Sequence, residues 1–232
     1  MSDAILQASR QGRVAVIRLD DGKANALSPA MIGAIGAALD EAEKDAGAVL
    51  LVGCEGRFSG GFDLATMRSG PEEAAGMVLA GAELLIRLFE FPLPVVVACN
   101  GHAMAAGALL VLACDQRLAA RGDFRIGLNE VTIGMTLPVF ALELARARLS
   151  KRHFDQATSQ ARLYGRDEAL DAGYFDRLTE PGELFDVALA EAERLSTLQQ
   201  PAFGASKARA HAATLATIRA SLKEDRGRLG AG

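Results

Sequence analysis

The residues of this chain whose types and spacing could do chemistry are two glycine-bearing segments and one isolated acid. The segment "CEGRFSGGFDL" runs from Cys54 to Leu64 and "CNGHAMAAGALL" from Cys99 to Leu110, each directly after a short apolar run. A strand, a glycine turn and a helix start together present backbone N–H groups that have no partner inside the helix. They stand beside the partial positive charge of the helix N-terminus, so the arrangement suits an anion. The first turn, through Ser59, Gly60 and Gly61, can offer the N–H of Gly61, Phe62 or Asp63. The second turns at Asn100 and Gly101 and enters a helix at Ala105 to Gly107, where small side chains admit a ligand close to the backbone. Taken singly, each also reads as an ordinary connection between strand and helix. Neither carries GxGxxG or GxxxxGK[ST], so a dinucleotide or P-loop site is unsupported.

The acid lies in "RIGLNEVTIGMTLP". Between Asp123 and Glu143 the only acidic residue is Glu130, set among Ile126, Leu128, Val131, Ile133 and Met135. A partly buried carboxylate is expected there, with its pKa raised toward the range useful for proton transfer. A salt bridge to Arg125 or Arg121, or a place on an exposed loop edge, is the structural alternative. Cys99 and His102 invite a Cys/His hydrolase reading, but Cys99 ends an apolar strand, where a free cysteine behaves as a small hydrophobe. His153 and His211 read as surface residues of polar helices, and no His, Cys or carboxylate spacing points to a metal. Asp63 and Asp115 read as turn caps, and Leu109, Leu110 and Leu112 as core.

These residues need elements to position them. "GRVAVIRLDDG" alternates and reads as a strand; "LSPAMIGAIGAALDEAEKD" follows as a helix, with Ser28 as N-cap, Pro29 at the first helical position and Met31, Ile35, Leu39 and Ala42 on one face. "AVLLVGC" and "PVVVAC" are wholly apolar and predict strands covered on both faces. The spacing of Met77, Leu84, Leu85 and Leu88 predicts a helix over Pro71 to Phe91, ended by "FPLP". "AAGALLVLA" is apolar on every side and predicts a central helix. "DQRLAA" and "DFRIG" predict short strands, and after Pro138 helices dominate, the last within Pro201 to Asp225, before a short tail "GRLGAG". The pattern is an α/β core followed by a helical C-terminal part that could form a subunit contact.

The composition bounds the function. A chain of 232 residues, half of them hydrophobic, can build one sizeable core; a net charge of -4 with dispersed basic residues gives no footprint for nucleic acid. Three unpaired-looking cysteines fit a reducing cytosol, and neither a secretory leader nor a bilayer-spanning stretch is expected.

In order and spacing, "DDGKANALSPAM", "GRFSGGFDL", "PVVVACNGHAMAAGALLVLACD" and "IGLNEVTIGMTLP" resemble the crotonase superfamily, which includes enoyl-CoA hydratases and isomerases. The resemblance runs from about Gly12 to Leu178. It implies a crotonase-like spiral of ββα units over residues 1–178, a C-terminal helical trimerisation region over 179–232, and a homotrimer or a dimer of trimers. It further implies that the N–H groups of Phe62 and Ala106 hold an acyl thioester oxygen, with Lys23, Ala24, Ala26, Asp63, Leu64 and Ala65 along coenzyme A. The substrate brings that coenzyme; no other cofactor is implied. Hydratases of the family commonly carry a second glutamate at the position of Leu109, which here could line the acyl pocket, so Glu130 is left as the catalytic carboxylate. "IGLNE" after such an apolar helix position is similar to the mitochondrial-type Δ3,Δ2-enoyl-CoA isomerases. Isomerisation is thus preferred over hydration, with a catalytically inactive acyl-CoA-binding relative as the reading from another class.

Overall fold

The computed structural model describes residues 5–229. In chain order the strands are β1 (Leu6–Gln11), β2 (Val14–Leu19), β3 (Ala48–Val52), β4 (Gly56–Ser59), β5 (Val95–Cys99), β6 (Gly101–Met104), β7 (Gln116–Ala120), β8 (Ile126–Gly127) and β9 (Arg177–Thr179). The helices are α1 (Pro29–Asp45), α2 (Leu64–Ser69), α3 (Pro71–Glu90), α4 (Ala106–Leu112), α5 (Val139–Arg148), α6 (Lys151–Ala157), α7 (Arg166–Ala172), α8 (Leu184–Ser196) and α9 (Gln200–Leu229). A 3-10 turn covers Glu130–Ile133.

One sheet has the order β1-β2-β3-β5-β7-β9, parallel except for the β1-β2 hairpin; a second, smaller parallel sheet has the order β4-β6-β8. The chain therefore repeats a unit three times: a strand in the large sheet, a strand in the small sheet, then a helical turn. This is the ββα arrangement that the family resemblance implies.

The apolar strands fill the large sheet because side chains alternate between its faces. Val49, Leu51, Val95 and Val97 join the core with α1, α3 and α4, while Leu50, Val52, Val96 and Ala98 meet Leu184, Ala188 and Ala192 of α8. α1 begins as its sequence dictates: Ser28 Oγ accepts from Met31 N at 3.2 Å and Pro29 opens the helix. Every residue of α4 is buried, as a helix without a polar face requires. α9 packs on α3 and α5, with Leu215 and Ile218 in the core and Lys207 Nζ 2.7 Å from Asp115 Oδ2. Among the described residues no helix is long and apolar enough to cross a membrane. The last three residues of the tail "GRLGAG" lie outside the described residues.

Several sequence readings need correction. The stretches read as turns each contain a four-residue strand, β4 and β6, so the second segment turns at Asn100 but runs extended to Met104 before its helix. The glycines and polar residues masked these strands. β1 pairs only at the sheet edge and was not anticipated, and neither was β9, three residues inside the helical part. His153 is no surface residue: it shares the buried face of α6 with Ala157, its Nδ1 3.4 Å from Tyr164 Oη and its Nε2 3.2 Å from Asp171 Oδ2. His211 is half-buried, stacked on Phe89 at 3.8 Å with Nδ1 donating to Phe89 O at 2.7 Å; burial pushes its pKa down. Both helices look polar in sequence because polar groups share their inner faces with apolar ones, His153 with Ala157 in α6, and Lys207 and His211 with Leu215 and Ile218 in α9.

Candidate active site

Phe62, Ala106 and Glu130 occupy one position in three successive units, just past the C-terminal end of β4, β6 and β8 respectively. Because that sheet is parallel and pairs Ser59 with Ala103 and Met104 with Gly127, its three strand ends lie side by side. Residues remote in sequence are thus gathered along one edge, the place where parallel sheets present ligand-binding loops.

The first two turns abut. Gly61 has φ 92°, and a Cβ there would lie 2.9 Å from Met104 O, 3.0 Å from Ala105 Cβ and 3.4 Å from Ala106 N. Glycine serves both the left-handed backbone and the close approach. Leu27 N donates to Gly61 O at 2.8 Å and Asp63 N to Leu27 O at 3.4 Å. In such a parallel bridge the intervening N–H, that of Phe62, faces away from Leu27. The Phe62 ring packs against α3 at Gly81, where a Cβ would meet it at 2.3 Å. Ala106 opens α4, so its N–H has no acceptor within the helix. Ala105 before it adopts φ 51° and ψ -123°, a conformation that disfavours side chains, and its own N–H is engaged by Gly127 O at 2.8 Å. The strain falls on the residue that turns the chain from β6 into α4.

Glu130 is partly buried at the start of the 3-10 turn. Its Oε2 is buried with no hydrogen-bond partner among the described residues, and burial pushes its pKa from the ordinary 4.5 to about 7. The alternative salt bridges do not form: Arg125 pairs with Asp123, and Arg121 with Asp167 and Glu180. An apolar cavity of about 480 Å³ adjoins the following segment, lined by Val131, Met135, Leu137, Leu142 and Phe154 among others; Glu130 itself is not part of its wall.

The remaining site candidates fall in two groups. Lys23 and Ala24 are exposed and Ala26 partly so; Ala24 O accepts from Gly60 N at 2.8 Å, tying this segment to the first turn. Asp63 caps α2, accepting from Thr66 N and Oγ1 at 2.8 Å each, and the backbone bond holds its carboxyl below the usual range. Leu64, 59% exposed, and Ala65 begin that helix on the surface. Leu109, only 1% exposed, stays within the core side of α4.

One organising residue escaped sequence reasoning. Asn25 is fully buried at φ 50°; its Nδ2 donates to Leu19 O and Phe58 O at 3.1 and 3.2 Å, and Ser59 Oγ donates to Asn25 O at 2.8 Å. It fastens the Lys23–Leu27 segment to β4. An asparagine flanked by small residues in "KANAL" was the available signal, since Asn tolerates left-handed backbone. Cys99 and His102 form no catalytic pair: Cys99 Sγ contacts Gly101 O at 3.3 Å and burial pushes its thiol up, whereas His102 Nδ1 accepts from Arg125 N. Among the described residues no cluster of His, Cys, Asp or Glu could hold a metal.

Residues 9–229 match the family model described as enoyl-CoA hydratase/isomerase. The chain belongs to the enoyl-CoA hydratase/isomerase family. It is 37% identical over 193 residues to a putative enoyl-CoA hydratase of Thermus thermophilus, covering 80% of this chain and 76% of that one. It is 30% identical over 211 residues to human mitochondrial enoyl-CoA delta isomerase 1, covering 88% and 70%. The structure of a Mycobacterium tuberculosis protein, described once as an enoyl-CoA isomerase and once as a probable enoyl-CoA hydratase, superposes with a TM-score of 0.93 at 41% identity, covering 98% of this chain and 99% of the other. Family membership is common to these relatives, and the hydratase and isomerase names are divided among them.

Proposed function

We propose that this enzyme of the hydratase/isomerase family shifts the double bond of a 3-enoyl-CoA to the 2 position, with Glu130 as the single proton carrier. The observation that carries the reading is the partly buried Glu130 carboxylate, its pKa near 7, with leucine at the position where a second glutamate would serve hydration. Such a group is a competent base and, once protonated, a competent acid at neutral pH.

In this reading the thioester oxygen sits between the N–H groups of Phe62 and Ala106. Lys23, Ala24 and Ala26 flank the coenzyme on one side and Asp63, Leu64 and Ala65 on the other, with Leu109 behind the acyl group. Glu130 takes a proton from C2; the C2–H electrons spread through the C3=C4 bond to C4, and the thioester carbonyl carries the charge. Two donors on that oxygen stabilise the dienolate, each contributing on the order of 3 kcal/mol. The same carboxyl then returns its proton to C4, and the double bond rests between C2 and C3. No water enters, and no redox or metal step is needed.

The hydratase names among the relatives favour the second reading, addition of water to a 2-enoyl-CoA. Product analysis separates the two. Conversion of 3-enoyl-CoA to 2-enoyl-CoA with negligible 3-hydroxyacyl-CoA is the expected result. Robust hydration of 2-enoyl-CoA would overturn the isomerase assignment.

A further inference from the structure

Tyr174 stands where the structure gives a hydroxyl no structural use. It follows Gly173, which ends α7 at φ 95°, and its N–H donates to Ala169 O at 2.9 Å. The side chain is fully buried. Its ring lies 5.4 Å from that of Tyr164, and Tyr164 is fixed opposite Ile126 of β8 by two backbone bonds of 2.9 and 3.1 Å. Tyr164 therefore links the Tyr174 ring to the strand that leads to Glu130.

Among the described residues the Tyr174 hydroxyl has no hydrogen-bond partner, and Glu130 Oε2 and the neighbouring Asn129 Oδ1 are further buried oxygens without one. The Leu128 N–H, two residues before Glu130, stands near the hydroxyl without closing a bond of good geometry; burial above all pushes the phenol pKa up, and the Tyr164 and Glu130 charges add to it. Phenylalanine would fill the same space and leave no orphan oxygen. The other polar groups packed here, Arg166 Nε excepted, are engaged elsewhere. His153 meets Asp171 and Tyr164, Arg162 pairs with Glu168 and lies over the Tyr164 ring, and Arg166 donates to Gly101 O.

We propose that Tyr174 is a positioning residue for Glu130: its hydroxyl donates a hydrogen bond, directly or through one water, to the ionised carboxylate during turnover. Apo structures commonly show such bonds open, closing only when substrate is bound. The bond would hold the carboxylate in one rotamer between C2 and C4 and favour its charged form. The inference rests on Glu130 being the proton carrier.

The test is Tyr174→Phe in the full chain. Expected are a kcat lower by about tenfold, a nearly unchanged KM, and an acid limb of the pH profile moved up by about one unit, because a donor to the carboxylate has been lost. The thermal midpoint should be unchanged or higher, which separates positioning from a structural role. A variant with the kcat and pH profile of the original protein would overturn the proposal. If the variant does not fold, ring-13C-labelled tyrosine in the original protein answers instead. A Tyr174 Cζ resonance that titrates near pH 7, and no longer does so in Glu130→Gln, supports the coupling; one indifferent to pH in that range refutes it. This readout needs no turnover. Should Glu130→Gln retain full activity, the assignment of Glu130 fails separately from the coupling.

Discussion

At the scale of single residues, the decisive property is that Glu130 is placed where ionisation is disfavoured yet no cation neutralises it. Its raised pKa makes two predictions of opposite sign. In the proposed mechanism the carboxylate is the base, so kcat/KM should rise with pH through about 7 and plateau above it. Stability runs the other way. The unfolded chain ionises this group near 4.5 and the folded one near 7, so the folded state binds the extra proton between those values and loses stability as pH rises through that window. Glu130→Gln should therefore lower kcat by about 10²- to 10⁴-fold. It should also make the protein more stable than the original above pH 7, by roughly 3 kcal/mol, with no difference below about pH 4. Denaturant titrations at pH 4 and pH 8 check the second part. The carboxylate's burial was legible because it is the lone acid in an apolar stretch, whereas Tyr174 and Asn25 were not. A tyrosine in "DAGYFD" reads as core, and an asparagine in "KANAL" reads as loop, until packing shows what each oxygen or amide faces.

At the scale of elements, the candidate site is the shared edge of β4, β6 and β8, held together by backbone contacts that tolerate little added volume. Gly61→Ala places a methyl against Met104 O at a left-handed φ, which should cost about 1–3 kcal/mol of stability. Turnover should fall by on the order of tenfold or more, since a small shift of the Phe62 amide suffices to misalign it. Ala105→Gly is the opposite case. Relief of φ 51° should stabilise by about 1 kcal/mol, as thermal unfolding would show. The long elements were readable from periodicity: α1 from its cap and its apolar face, β3 and β5 from unbroken β-branched and leucine runs, α4 from its lack of any polar side. Among the short strands β8 was legible in "DFRIG", but β4 and β6 were not. Both are four residues long and contain glycines, serine and histidine, and their strand character comes from pairing across about 45 residues of chain between β4 and β6 and about 23 between β6 and β8.

At the scale of the molecule, α8 and α9 fold back on the same chain, and a buried ion pair fastens the second of them. Lys207 Nζ, 3% exposed, meets Asp115 Oδ2, which also accepts from Val95 N at the start of β5. Lys207→Met would leave that carboxylate buried without its cation and should cost about 3 kcal/mol, visible as a lower denaturation midpoint. The helical C-terminal part was legible as helix, but its packing on α3 includes contacts of Lys207 with Leu88 O and of His211 with Phe89 that periodicity does not encode. The family resemblance also leads us to expect a mass in solution of three or six chains, which sedimentation measures directly. The measurement that bears most closely on the whole account is proton exchange at C2 of a bound acyl-CoA in heavy water, followed by mass spectrometry. The original protein should introduce deuterium there and Glu130→Gln should not; absence of exchange in the former, or its persistence in the latter, would contradict the account.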